Sequence, residues 1–183
     1  MKKYIRPAII VILILALDRW SKAWILSHLA GREMGILPFL KFTYAENTGV
    51  AFGMLQNNNT ALLILTAAIL CYLIFFRRQF LTEHPASRWG YWLVIAGAIG
   101  NIWDRCTIGF VVDFINFSFF PAIFNVADSA ITAGACLLGW GLLRYPADKK
   151  QAASSAADAD KNMNIMKKER NQKADYDNAK LGE

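Results

Sequence analysis

Hydrophobic positions fall into four long runs, punctuated by polar residues at particular places. The first, residues 7–29, has a charge-free core to Leu17 and is then broken by Asp18, Arg19 and Lys22. The second, residues 60–76, is 17 residues without a charge. The third, residues 89–103, is interrupted only by Asn101 and ends at Asp104 and Arg105; the fourth, residues 125–145, carries Asp128 near its start and Arg144 near its end. A membrane-crossing helix wants about 20 apolar residues, with about 17 as the lower limit. The pattern therefore predicts four crossings, the short third one helped by a snorkelling Arg88. Between the runs, residues 36–42 suit a short strand or a membrane-skimming stretch, and residues 110–117 suit a strand rich in β-branched and aromatic residues. Residues 57–60 read as a loop ending in a helix N-cap.

Charge sharpens this picture. Residues 146–183 hold 8 of the 20 Lys and Arg and 7 of the 14 Asp and Glu, so the first 145 residues contain only seven acids. That density is far below a soluble surface and excludes water-soluble globular, coiled-coil and disulfide-scaffold classes. The expected fold class is an all-α polytopic membrane protein with four transmembrane helices and a small extracytoplasmic β-rich substructure from two outer loops, residues 30–59 and 106–124. Lys2, Lys3, Arg6, Arg77, Arg78, Arg88, Arg144, Lys149 and Lys150 fall on one side of four crossings, while Arg32, Lys41 and Arg105 fall on the other. The positive-inside rule then puts both termini in the cytoplasm. Two domains are expected: a membrane domain, 1–145, and a polar cytoplasmic tail, 146–183, whose composition predicts disorder, with a weak basic helix over residues 163–170 as the alternative. The N-terminus lacks an A-x-A-like cleavage site after its apolar run and reads as a retained span rather than a signal peptide.

The remaining chemistry is sparse. Cys71 and Cys136 sit in apolar runs and are expected to be buried, whereas Cys106 is placed in a polar turn. No CxxC, Cys/His cluster or HExxH occurs, so no metal site or cofactor is expected. Ala96/Gly100, Ala130/Gly134 and Ala135/Gly139 have the small-xxx-small spacing that lets helices approach closely.

The acids are the informative residues. Asp18, Asp104, Asp113 and Asp128 lie in or beside apolar segments, and all four map towards the outer side. Asp18 lies about 17 Å into the first run at ~1.5 Å per residue. Ionisable groups at such depth cost at least ~2.5 kcal/mol each unless they are paired or working. Asp18 and Lys22 share a helix face four residues apart, and Asp104 neighbours Arg105. Asp113 and Asp128 have no local basic partner. Asn101 and Asn125, each three residues before an Asp, can donate amide hydrogens to a carboxylate or a substrate carbonyl. Two carboxyl groups brought close together share a proton. The ionised one can then take a proton from water while the protonated one donates to a carbonyl oxygen, which is peptide hydrolysis without metal or covalent adduct. Asp128, at a helix N-terminus, is the favoured ionised member.

Four blocks resemble one family. Asp18-Arg-Trp-Ser-Lys22 is similar to its D-x-x-[ST]-K element, and Asn47-Thr-Gly-Val-Ala-Phe52 to its N-x-G-x-A-F loop. Gly100-Asn-Ile-Trp-Asp-Arg105 with Val111-Val-Asp-Phe114 resembles its G-N-x-x-D-R…V-V-D-F run, and Phe124-Asn-Val-Ala-Asp128 its F-N-x-A-D element. The family is the lipoprotein signal peptidases (signal peptidase II), four-helix aspartyl proteases of the bacterial plasma membrane; the likeness covers about residues 5–144. The resemblance implies Asp113 and Asp128 as the catalytic pair. It implies Asp18, Lys22, Asn47, Gly49, Gly100, Asn101, Asp104, Arg105, Asn125 and Ala127 as residues lining or bracing the site. The implied substrate is a prolipoprotein already carrying diacylglycerol on its lipobox cysteine, cut just before that cysteine at the outer face of the inner membrane. Membrane lipids are the other expected partner, with no nucleic acid and a monomeric chain. Val50 stands where the family often has Ala, and the tail is longer than the family leads one to expect.

Other classes fit less well. A proton-coupled carrier would use buried acids as relays, but it needs access from both sides, and these acids all lie towards one. A non-catalytic scaffold gives no reason to keep Asp113 and Asp128 unpaired. A serine or metal protease lacks GxSxG, a plausible His partner and HExxH.

Overall fold

The computed structural model describes residues 2–49, 58–144 and, in the tail, 155–156, 158–168 and 170, with side chains described from residue 7 onward. Among the described residues up to 144, five helices and four strands follow one another in the order α1 (Lys2–His28), β1 (Glu33–Leu37), β2 (Leu40–Asn47), α2 (Asn59–Phe75), α3 (Arg77–Phe80), α4 (Pro85–Thr107), β3 (Val111–Phe117), β4 (Ile123–Phe124) and α5 (Val126–Arg144). The four apolar runs are therefore the four long helices. Asn58 caps α2, its side chain accepting from the Ala61 amide, so the N-cap precedes Thr60 by two residues. His84 caps α4 with Pro85 in its first turn. Asn57 and residues 50–52, part of the loop motif, lie outside the described residues.

By length and composition α5, 19 residues long, is able to cross a membrane; α2 is more apolar still but has 17 residues. α1 and α4 fall short because each carries internal charge: Asp18, Arg19 and Lys22 in one, Arg88, Asp104 and Arg105 in the other. Their placement inverts a soluble protein. Ile12, Leu13, Ile64, Ile69, Trp140 and Leu143 point outward, whereas Asp18, Lys22, Asp104 and Asp113 are almost wholly buried. Water would reward the opposite arrangement; lipid rewards this one. The same inversion corrects the cysteines: Cys71 and Cys136 are exposed on apolar helix faces, and Cys106 belongs to the last turn of α4 instead of a polar turn.

The strands form one antiparallel sheet in sequence order, β1-β2-β3-β4. Residues 33–47 make a hairpin that turns at Pro38 and Phe39, two strands where a short strand or a membrane-skimming stretch was expected. Pro has no N–H to give a ladder, so it falls at the turn. β3 is buried on both faces at its start. Val112 and Phe114 pack with Ile25 of α1 and Leu29 just after it, so Val111 and Asp113 face the other way.

Close approach of α4 and α5 sets the frame. A Cβ on Gly134 would lie 2.8 Å from the Gly90 carbonyl oxygen and 2.8 Å from the Val94 amide nitrogen. Gly97 is likewise pressed against the Ala127 carbonyl, and Gly141 against Ser87. Gly90/Gly97 and Gly134/Gly141 thus recur at heptad spacing, two turns apart on facing helices, a seam that the four-residue spacing does not reveal. Gly134 does lie in this contact, but a Cβ on Gly139 would meet nothing within 4 Å. In the tail, where composition predicts disorder, residues 158–168 are helical with their side chains exposed, in part the helical alternative.

Gly134→Ala should destabilise the protein by roughly 1–3 kcal/mol through overpacking, whereas Gly139→Ala should leave it unchanged. Thermal midpoints of the two variants in detergent check this.

Candidate active site

The site begins as a piece of local capping chemistry. Asn125 precedes α5, and its side-chain oxygen accepts the Asp128 amide hydrogen at 2.7 Å; the Asp128 carboxylate Oδ2 returns to the Asn125 amide at 3.3 Å. This is a capping box, the N-cap and the third helical residue satisfying each other. It fixes the Asp128 side chain and leaves Oδ1 free to accept from Asn101 Nδ2 at 2.7 Å. Asn125 Nδ2 meanwhile donates to Asp113 Oδ1 at 2.6 Å. One buried asparagine therefore bonds both aspartates.

Asp113 arrives from β3. Register sets Ala45 of β2 opposite it, so Asn47, two residues on, lies diagonal on the same face. Asn47 Nδ2 donates to Asp113 Oδ2 at 2.7 Å. Asn47 Oδ1 accepts the Gly49 amide at 3.0 Å, which shapes the turn out of β2. Asp113 is thus held by two amides and, among the described residues, makes no ion pair. Burial, followed by the charge of Asp128, pushes it up to about 7, against the opposing pull of Asn47, Asn125 and Lys22. At neutral pH this group is poised to hold a proton.

Beneath the pair lies a cluster of four charges. Lys22 Nζ stands 3.0 Å from Asp18 Oδ2 and 2.7 Å from Asp104 Oδ2. Arg19 spans the same two acids, 2.6 Å from Asp18 and bonded directly to Asp104. Asp104 therefore pairs with Lys22 and Arg19 of α1 rather than with its neighbour Arg105. Asp18 Oδ1 accepts the Ala127 amide at 3.0 Å, which ties α1 to the first turn of α5. Gly100 makes room for this: a Cβ there would lie 3.0 Å from Asp18 Oδ2 and 3.2 Å from the Ala127 Cβ. Asn101 joins cluster to pair, since its oxygen accepts from Lys22 Nζ at 3.3 Å and from Asn125 Nδ2 at 3.3 Å. It bonds across helices and makes no bond to Asp104, three residues on.

Beside Asp128 opens a cleft of about 310 Å³. Asn47, Gly49 and Arg105 supply its polar wall; Ile123, Phe124, Ile131 and Thr132 face them. Arg105 has a buried Nε without a hydrogen-bond partner, a donor available to a carbonyl in the cleft. Among the described residues no three of His, Cys, Asp and Glu stand together as metal ligands. A carboxylic acid and a neighbouring carboxylate beside a cleft are equipped for general acid–base hydrolysis.

All twelve residues singled out by the sequence fall in or against this assembly. Arg19 was missed. Its signal was charge balance: two buried acids, Asp18 and Asp104, with a single Lys to answer them.

Comparison with known proteins gives concordant findings. A family model described as signal peptidase (SPase) II matches residues 10–144. A lipoprotein signal peptidase of Caldanaerobacter subterraneus subsp. tengcongensis is 41% identical over 134 residues, 72% of this chain and 92% of that protein. One from Streptococcus pyogenes serotype M2 is 39% identical over 137 residues, 70% of this chain and 86% of the relative. Among solved structures, a bacterial membrane enzyme determined by the in meso method at 2.3 Å resolution is 32% identical with a TM-score of 0.69, covering 79% of this chain and 91% of its own. A second, at 1.9 Å, has the same score and identity and covers 77% and 94%.

Asn125→Ala leaves Asp113 Oδ1 without the Asn125 donor and the Asp128 amide without its acceptor, while the backbone amide of residue 125 still reaches Asp128 Oδ2. It should cost at least ~1–3 kcal/mol, read as a lowered thermal midpoint, whereas the exposed Ser118→Ala should cost nothing measurable.

Proposed function

This chain belongs to the signal peptidase II family, the lipoprotein signal peptidases, and we propose that Asp113 and Asp128 are its catalytic pair. The chain is a membrane endopeptidase that removes signal peptides from prolipoproteins. The observation that carries the residue assignment is the single asparagine, Asn125, bonded to the Asp113 carboxyl through its side chain and to the Asp128 carboxyl through its backbone amide, beside a cleft. Asp113 holds the shared proton at rest, supported by its position near neutrality. Asp128 takes the proton of a water molecule as that water attacks the scissile carbonyl carbon. Asp113 gives its proton to the carbonyl oxygen, forming a gem-diol. Collapse of that intermediate breaks the C–N bond and returns a proton to the departing nitrogen. Such assistance is worth roughly 10²–10⁴-fold in rate.

The remaining residues act as support. Asn47, Asn101 and Asn125 aim the two carboxyl groups. Asp18, Lys22, Asp104, Gly100 and Ala127 hold α1, α4 and α5 in register around them. Gly49 and Arg105 line the cleft, where Arg105 donates to a substrate carbonyl.

The substrate is a precursor whose cysteine already bears diacylglycerol, cut on the amino side of that cysteine. Four crossings, by α1, α2, α4 and α5, fit this substrate, with both termini cytoplasmic and the pair towards the outer face of the inner membrane. Outward apolar faces on these helices support the crossings. The sheet lies at the outer boundary, where Phe39, Phe119 and Phe120 are exposed together and enter the lipid headgroups. The 1–145 domain works as a monomer, with 146–183 a cytoplasmic appendage.

Asp113→Asn and Asp128→Asn should each lower cleavage of a lipidated precursor by roughly 10²–10⁴-fold while leaving the thermal midpoint near that of the parent protein. Normal cleavage by either variant refutes the assignment. In the parent protein kcat/KM should fall as pH rises through about 7, because Asp113 then loses the proton it must donate. Activity should survive EDTA; a loss restored by added zinc would point to metal chemistry instead.

A further inference from the structure

The four-charge cluster contains one residue whose task the peptidase reaction has not yet used. Arg19 sends one nitrogen to Asp104 Oδ1 and the other to Asp18 Oδ2 at 2.6 Å, and that second nitrogen also reaches the Gly100 carbonyl at 3.2 Å. Its guanidinium fork thus joins two buried acids from α1 and α4, a geometry that a point-charge ammonium does not reproduce. Lys22 has three N–H donors, and they meet three acceptors: Asp18 Oδ2, Asp104 Oδ2 and Asn101 Oδ1. The third of these matters most. An amide's oxygen and nitrogen differ little in shape, so a donor-only partner decides which end points where. Lys22 claims the Asn101 oxygen, and the Asn101 NH₂ is thereby turned onto Asp128.

We propose that Arg19 is a positioning residue for hydrolysis: it balances the second acid, so that Lys22 can hold the Asn101 oxygen and present the Asn101 amide to Asp128.

The proposal rests on the reading of Asp113 and Asp128 as the reacting pair. With Arg19 present the cluster sums to zero, two acids against two cations. Without it, one ammonium answers two buried carboxylates, and an uncompensated charge in such surroundings is costly. Lys22 is then drawn to the acids and away from Asn101. A second path runs through Asp104. Arg19 fixes one oxygen of that carboxylate, and the other accepts the Val112 amide at 3.3 Å, one residue before Asp113. Arg19 therefore reaches both members of the pair without touching either.

The test is a pH–rate profile for cleavage of a lipidated precursor by Arg19→Gln, Arg19→Lys, Asp104→Asn and the double variant Arg19→Gln/Asp104→Asn, with thermal midpoints measured alongside. The groups facing Asp113 are Lys22 from α1, Arg105 from α4 and Asp128 from α5, with Asn47 as the neutral donor from β2. Arg19→Gln should lower kcat by roughly tenfold with little change in KM. Its alkaline limb should move to higher pH, because a net negative cluster favours the proton on Asp113. Arg19→Lys should keep the limb in place. Asp104→Asn should move the limb to lower pH, and adding Arg19→Gln should bring it back. That last comparison stands even if Arg19→Gln alone fails to fold. An Arg19→Gln limb that stays put while activity drops equally at every pH would reduce Arg19 to a staple between helices. Coincident limbs for Asp104→Asn and the double variant would also overturn the proposal. Asp128→Asn is run in parallel: normal cleavage by that variant sinks the catalytic pair itself and is a separate failure from any result at Arg19.

Discussion

Two acids held by amides and, among the described residues, left without an ion pair are the constraint on which the rest of the structure depends. A carboxylate beside Lys or Arg ionises readily and stays ionised. Asp113 instead takes its hydrogen bonds from Asn47 and Asn125, and Asp128 takes its from Asn101 and a backbone amide. Amide donors orient a carboxyl group and favour its ionised form less than a cation would, and at Asp113 burial outweighs them. The pair is thus aligned and remains free to exchange a proton. Lys22 and Arg19 are kept one layer away, consumed by Asp18 and Asp104, while Arg105 lines the cleft without an ion pair among the described residues.

The scaffold follows from that requirement. Asp128 is aimed by the capping of α5, so the helix start and the reactive group are the same object. Asp113 is aimed by β3, whose alternate residues bury Val112 and Phe114 against α1. Strand and helix are brought together by the glycine seam of α4 and α5 and by the Asp18 carboxylate on the Ala127 amide. Loosening any of these moves one carboxyl group relative to the other, and an error of about 1 Å in such a pair costs on the order of 100-fold in rate.

Much of this was legible in the sequence, and the exceptions have physical reasons. The four runs gave the helices because apolar length is a one-dimensional property. Asp113 and Asp128 stood out because carboxylates without local partners are costly in apolar surroundings. Residues 36–42 suited a short strand or a membrane-skimming stretch, whereas they are the centre of a hairpin, since a turn at Pro38-Phe39 interrupts the apolar pattern only briefly. The cysteines were placed inside because apolar neighbours mean burial in water, whereas on these helices they mean an outward face. The partner of Asp104 was misjudged for a different reason. Arg105 is adjacent in sequence, but the true partners, Arg19 and Lys22, come from a helix that only folding brings near. Gly90, Gly97 and Gly141 went unnoticed because their spacing is seven residues and their partners lie on another helix.

The most direct test is a pH titration of the Asp carboxyl carbons by ¹³C NMR on the detergent-solubilised protein, assigned with Asp113→Asn and Asp128→Asn. One proton should be taken up near pH 7, and the signals of both aspartates should respond to it. Two aspartates that are both fully ionised at neutral pH, or that titrate without sensing each other, would contradict a proton-sharing pair.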